Sequence, residues 1–102
     1  MKTLEVGTLL QQSSSNGLGN WYYQVTEVKG NFCVISQIDS EVTKRQNNGW
    51  DYYTKPKANS FKGQPMKRMI KSFTDGTLYV KPSKTEVAFI WDGKEKWNSH
   101  LD

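Results

Sequence analysis

Three short turn signals punctuate this chain: Gly30-Asn31, Asp75-Gly76 and Asp92-Gly93, each flanked by segments rich in β-branched and aromatic residues. Such dipeptides supply the left-handed backbone angles of tight hairpins. No segment shows the apolar spacing of an amphipathic helix. The pattern predicts an all-β domain, a small antiparallel barrel or rolled sheet of five to seven strands built from hairpins. With 102 residues the chain makes one domain, and only 35% of them are apolar, so the core is thin. Four Trp, five Tyr and four Phe must fill much of it, because each ring buries a large area.

The elements read as follows. Residues 4–12 make a first strand with Gly7 at a bulge, and the polar, glycine-rich stretch 13–20 makes a mobile loop. Residues 21–38 are the clearest hairpin. A two-residue turn there sets Val28 opposite Cys33, Val25 opposite Ser36 and Tyr23 opposite Ile38, with Trp21, Tyr23, Val25, Val34 and Ile38 on the core side. The opposite side is half apolar and so also partly covered. Residues 39–65 look irregular, broken by Asn47-Asn48-Gly49 and Pro56, and a stretch of that length points to a functional excursion. A second hairpin spans 66–81, with Met69 and Phe73 on the face of Leu78 and Val80. Pro82 stops its second strand. A third hairpin spans 85–97 around a type I′ turn at Asp92-Gly93, which sets Ala88 against Trp97. The tail 98–102 is expected to fray.

Several chemistries are excluded by inventory. The one histidine, His100, sits near the end, where nothing holds it in register with a substrate. The acids are scattered, and Asp75 and Asp92 are explained by turn chemistry. One Cys and one His fall short of a zinc ligand set, and Cys33, mid-strand, reads as a buried structural thiol. The expectation is a non-enzymatic protein with no cofactor and no bound metal. A lone cysteine, an N-terminus without a signal-peptide pattern and the lack of any run of about 20 apolar residues point to a soluble cytoplasmic protein with no membrane partner.

Charge is the informative asymmetry. Residues 44–84 carry ten Lys/Arg against two acids, whereas the flanking segments are each net acidic. A basic middle between acidic ends is a footprint of an anionic partner. Aromatics interleave with these cations, the combination by which single-strand binders neutralise phosphates and stack bases. The candidate binding residues are Lys44, Arg45, Trp50, Tyr52, Lys55, Lys57, Lys62, Lys67, Arg68, Lys71, Lys81 and Lys84, with Trp91 and Lys94 at the last turn.

The order of motifs adds a setting. A Val-Gly opening is followed by "YYQVTEVKGNFCVISQI", "FKGQPMKRMI", "DGTLYVKPS" and "AFIWDGKEKW". Over roughly residues 6–97 this resembles a family of small proteins encoded by bacteriophages and prophages. That family has a Tyr-Gln-Val strand, a Met-(Lys/Arg)-Arg segment and a closing Ala-x-x-Trp-Asp-Gly-Lys element. The matching positions are Gly7, Tyr23, Gln24, Val25, Gly30, Ile38, Phe61, Gly63, Met66, Arg68, Ala88, Trp91, Asp92, Gly93 and Lys94. Members carry an aromatic loop before the Tyr-Gln-Val strand, and this chain has Ser13-Ser14-Ser15-Asn16-Gly17-Leu18 instead.

The resemblance implies the cytoplasm of an infected or lysogenic bacterial host, and it implies no activity. In that setting the leading expectation is a stoichiometric inhibitor, of the counter-defence or host-takeover (anti-CRISPR-like) kind. Its partner would be a host protein or nucleoprotein complex that handles nucleic acid. The alternative is direct binding of RNA or single-stranded DNA through residues 44–84. The sequence leaves an oligomer open.

Overall fold

The computed structural model describes residues 4–13, 20–46 and 51–99, with side chains omitted at Gln46 and at 97–99. Among the described residues nine strands form one antiparallel sheet: β1 Leu9–Ser13, β2 Asn20–Lys29, β3 Phe32–Gln46, β4 Asp51–Phe61, β5 Met66–Met69, β6 Lys71–Ser72, β7 Leu78–Ser83, β8 Glu86–Ile90 and β9 Lys96–Ser99. Eight lie in the order β6-β7-β8-β1-β2-β3-β4-β9, and β5 adds to the start of β3. The all-β expectation holds, as a rolled sheet not closed into a barrel. Among the described residues no helix is long and apolar enough to cross a membrane.

The roll is held by one strand that changes partners. Residues 66–69 pair with β3, from Phe32↔Met69 to Ile35↔Met66, and residues 71–72 pair with β7. Ile70 sits at the changeover, its N–H donating to the Asn31 carbonyl at 2.7 Å. Inside the roll lie Leu10, Tyr23, Val25, Cys33, Ile35, Val80 and Ala88, with Val28, Met66, Ile70 and Leu78 packed against them. Leu10, Val25, Ile35, Val80 and Ala88 have no exposed surface, so few residues supply most of the hydrophobic stabilisation.

Several pairings differ from the sequence reading. Gly30-Asn31 does close a two-residue turn, with Lys29↔Phe32 and Val28↔Cys33. Gly30 alone takes a positive φ, 60°, as in a type II′ turn. An extra residue, Thr26, then shifts the register, so Val25 faces Ile35 and Tyr23 faces Gln37. The bulge puts Val25 and Val28, three apart, on the same inner side, while Trp21 turns outward and Ile38 joins the opposite face. Both faces of this hairpin are therefore covered.

The stretch 39–65 is not irregular. Most of it is strand, with β3 continuing to Gln46 and returning as β4. The arm lies over the outer face of β2, where Tyr22, Ile38, Thr54 and Pro56 are buried. The Tyr22 hydroxyl donates to the Thr54 carbonyl at 3.1 Å and lies 3.0 Å from Thr54 Oγ1. Four residues of β4, 57–60, are extruded where Ile38↔Phe61 gives way to Ser40↔Pro56. Asn59 takes φ 66° in this bulge. Buried Gln24 holds it twice: Gln24 Nε2 donates to Asn59 Oδ1 at 3.0 Å, and Asn59 N donates to Gln24 Oε1 at 2.7 Å.

The last two hairpins are also re-drawn. Ser72↔Leu78 leaves a five-residue turn, so Ile70, not Met69 or Phe73, shares the inner side with Leu78 and Val80. Strand β7 runs through Pro82 to a turn at Lys84-Thr85, and Ala88 faces Val80. Strand β9 pairs with β4 (Tyr53↔Trp97), not with β8. Asp92-Gly93 is therefore a corner between the roll and the arm. Gly93 has φ 85°, and Asp92, with no positive φ, accepts the Lys94 N–H at 2.9 Å; this is an Asx turn, not type I′. Residues 14–19 and 100–102, in the expected loop and tail, lie outside the described residues, while Asn98 and Ser99 belong to β9.

Candidate nucleic-acid interface

The partner exchange at Ile70 leaves the roll with a seam between β5 and β7, and cations gather there. Arg68, Lys71, Lys81 and Lys84 line an open groove of about 510 Å³, together with Met69, Pro82 and Ser83. The pleat places Met69 and Lys71, whereas Arg68, opposite Cys33 and two residues from Ile70, starts on the core side and reaches the groove at the seam. Ile70 points into the core, so Met69 and Lys71 on either side point out. Tyr79, directly opposite Lys71, is on the same outer side, and Lys81 follows at the irregularity in β7 beside Pro82.

Arg68 joins the two banks. Its Nε and Nη2 donate to the Pro82 carbonyl at 3.3 and 3.1 Å, and its Nη1 donates to the Lys67 carbonyl at 2.9 Å. These acceptors are neutral, so the guanidinium charge is not cancelled by a carboxylate. Among the described residues no acid lines the groove. Glu86 accepts from Ser83 Oγ, a groove residue, at 2.8 Å and from Gln12 Nε2. Gln12 in turn accepts from the buried Tyr23 hydroxyl. Burial raises the Tyr23 pKa, with the Glu86 charge adding to it, so this phenol remains a donor.

Beside the groove, on the outside of β6, β7 and β8, three rings cluster. Phe73 stacks on Tyr79 with centroids 4.4 Å apart and planes 22° apart. Phe89, paired with Tyr79 across the strands, lies 6.0 Å from Phe73. Phe73 and Phe89 keep 47% and 38% of their surface exposed, a large apolar area to leave on the face of a sheet. The sequence reading missed this cluster because it placed Phe73 inward. The available signal was the alternation Met69-Lys71-Phe73, which puts Phe73 on the side of a lysine once Ile70 is taken as the core residue.

The other predicted residues divide. Lys44 sits over Tyr53 at 5.8 Å and Arg45 over Tyr52 at 5.9 Å, as cross-strand pairs near the end of the arm. Arg45 lies twelve residues along β3 from Cys33, the partner of Arg68, a strand length of about 40 Å, and no described arm residue lines the groove. The arm's cations and the groove's therefore form two groups. Lys55 and Lys62 lie 3.9 and 3.5 Å from Glu41 and Asp39, exposed pairs that offset their charge. Lys57 projects from the β4 bulge. Lys67 lies over Phe32 at 5.0 Å, beside a smaller pocket that includes Glu27, Lys29 and Cys33.

Trp91 and Lys94 serve the corner. The indole Nε1 donates to the Lys94 carbonyl at 2.8 Å, and Lys96 reaches Asp92 at 2.8 Å. That hydrogen bond from Lys96, with the Lys94 amide, holds the Asp92 carboxyl below the usual aspartate range. Trp50 lies outside the described residues. Cys33 is buried in the core cluster, and burial pushes its thiol pKa up. Among the described residues no three His, Cys, Asp or Glu side chains gather as a metal-ligand set. No protein-family model, curated protein or solved structure matches the chain.

Proposed function

We propose that the protein is a non-enzymatic binder of nucleic acid that grips the sugar-phosphate backbone in the β5–β7 groove. The observation that carries this reading is the convergence of Arg68, Lys71, Lys81 and Lys84 on one open groove that, among the described residues, no acid lines. A chain that occupies nucleic acid without turning it over acts in proportion to its amount. This supports a stoichiometric inhibitor of a host nucleic-acid-handling system, met as a nucleoprotein complex in the bacterial cytoplasm that the phage-like motifs imply.

Four groove cations neutralising four phosphates give a salt slope of about −2.8 on a single strand. Affinity for a labelled 12-mer, read by fluorescence polarisation, should then fall about 50-fold between 50 and 200 mM salt. Replacing Lys71, Lys81 and Lys84 together by Gln should bring the slope to about −0.7. Replacing Lys55 and Lys62, which have acidic partners, should change it little. Salt-insensitive binding, or equal loss from both sets of substitutions, would remove the groove as the site. Titration at high probe concentration should saturate at a fixed protein-to-oligonucleotide ratio.

A further inference from the structure

We infer that Phe73, Tyr79 and Phe89 form a shelf on which unpaired bases stack, so that the ligand of the groove is a single strand. This rests on the nucleic-acid reading of the groove and adds what the backbone contacts cannot supply, a means of choosing unpaired over paired bases.

Three observations lead to it. The first is continuity. Lys71 of the groove is the cross-strand partner of Tyr79, and Tyr79 is the cross-strand partner of Phe89, so cation and rings form one band across β6, β7 and β8. Neighbouring strands lie about 4.8 Å apart, which puts a phosphate held by Lys71 within one nucleotide of a ring. The second is orientation. Phe73 is inclined only 22° to Tyr79 and 28° to Phe89, so it stacks on both, while Tyr79 and Phe89 are tilted 47° to each other; the stack that a base can extend runs through Phe73. The third is exposure. Phe73 and Phe89 are 47% and 38% exposed although core positions lie close by in the chain, at Ile70, three residues before Phe73, and at Ala88, next to Phe89.

The occupant follows from charge complementarity. An apolar protein surface would leave the adjoining Lys71 and Lys81 facing carbon, at a desolvation cost. A single strand alternates an anionic backbone with flat, apolar faces and satisfies both parts of the band. A duplex offers the phosphates but keeps its base faces stacked inside, so it uses the groove and not the shelf.

The test compares three 12-residue probes on the full chain by fluorescence polarisation: labelled oligo-dT, an abasic deoxyribose-phosphate strand of equal length, and a duplex. Base–ring stacking contributes roughly ten-fold per base, so oligo-dT should bind at least ten-fold tighter than the abasic strand. Phe73→Leu and Phe89→Leu keep apolar volume while removing the π face. Each should weaken oligo-dT about ten-fold and leave the abasic strand unchanged. Equal affinity for the oligo-dT and abasic probes, both salt-sensitive, would overturn the shelf and keep the groove. Loss of both probes in the Leu variants with unaltered melting would also overturn it. No salt-sensitive binding to any probe would overturn the groove reading and the shelf together.

Discussion

Removing one oxygen tests whether the arm is clamped to the roll. Tyr22 is 1% exposed and Thr54 2%, and the hydroxyl between them donates to the Thr54 carbonyl while lying within hydrogen-bond distance of Oγ1. Burial raises the Tyr22 pKa, the contact with Thr54 opposing it, so the group stays protonated at neutral pH. Tyr22→Phe deletes a net contribution of about 1 kcal/mol for the hydrogen bond to the carbonyl. A loss of about 1 kcal/mol in a domain of this length lowers Tm by about 5 °C. The assay is a thermal melt by circular dichroism, paired with urea denaturation whose m-value should not change. Tyr79→Phe is the control: its ring sits in the exposed cluster, and its melt should move by no more than about 2 °C. A Tyr22→Phe melt within that same margin would show that the arm does not depend on this contact.

Two further outcomes follow. Ala88 is fully buried opposite Val80, so Ala88→Leu should overpack the roll and cost about 1–3 kcal/mol, read as a lower urea midpoint. Asp92, whose folded pKa is depressed, contributes stability that is complete above the unfolded value of about 3.9 and is lost as pH falls through the folded value. Melting temperature should therefore drop below about pH 4 in the wild type, and Asp92→Asn should flatten part of that drop in melts from pH 5 to pH 2.

What could be read in advance was local. Gly30-Asn31 announces its hairpin because the residues that set the turn adjoin the strands that it joins. The bulge at Thr26 carries no comparable mark, and one extra residue reverses the facing of everything before it. The arm was hidden because its strands are polar on both sides: Lys44, Arg45, Glu41 and Lys55 pair with each other or with rings, and the burying contact comes from Tyr22 on another strand. Pro56, which looked like a break, is a buried partner of Ser40. Asp92-Gly93 was correct as chemistry and wrong as topology, since turn residues say that the chain reverses and not which strand receives it. The groove lay within the basic segment, but its membership depended on the parity of Ile70, which only the core decides.

The pairing of β1 with β8 joins Leu10 to Ile90 and Gln11 to Phe89, residues far apart along the chain. Hairpins β2–β3 and β3–β4 can form as soon as their own residues leave the ribosome, since each joins chain neighbours. The outer edge of β1 has no partner until Phe89 and Ile90 emerge. During synthesis the molecule is thus an open sheet with an unprotected border until the β8 residues emerge and close the roll. The same late step brings Phe89 to Tyr79, so a truncated product lacks the aromatic band as well as the seal.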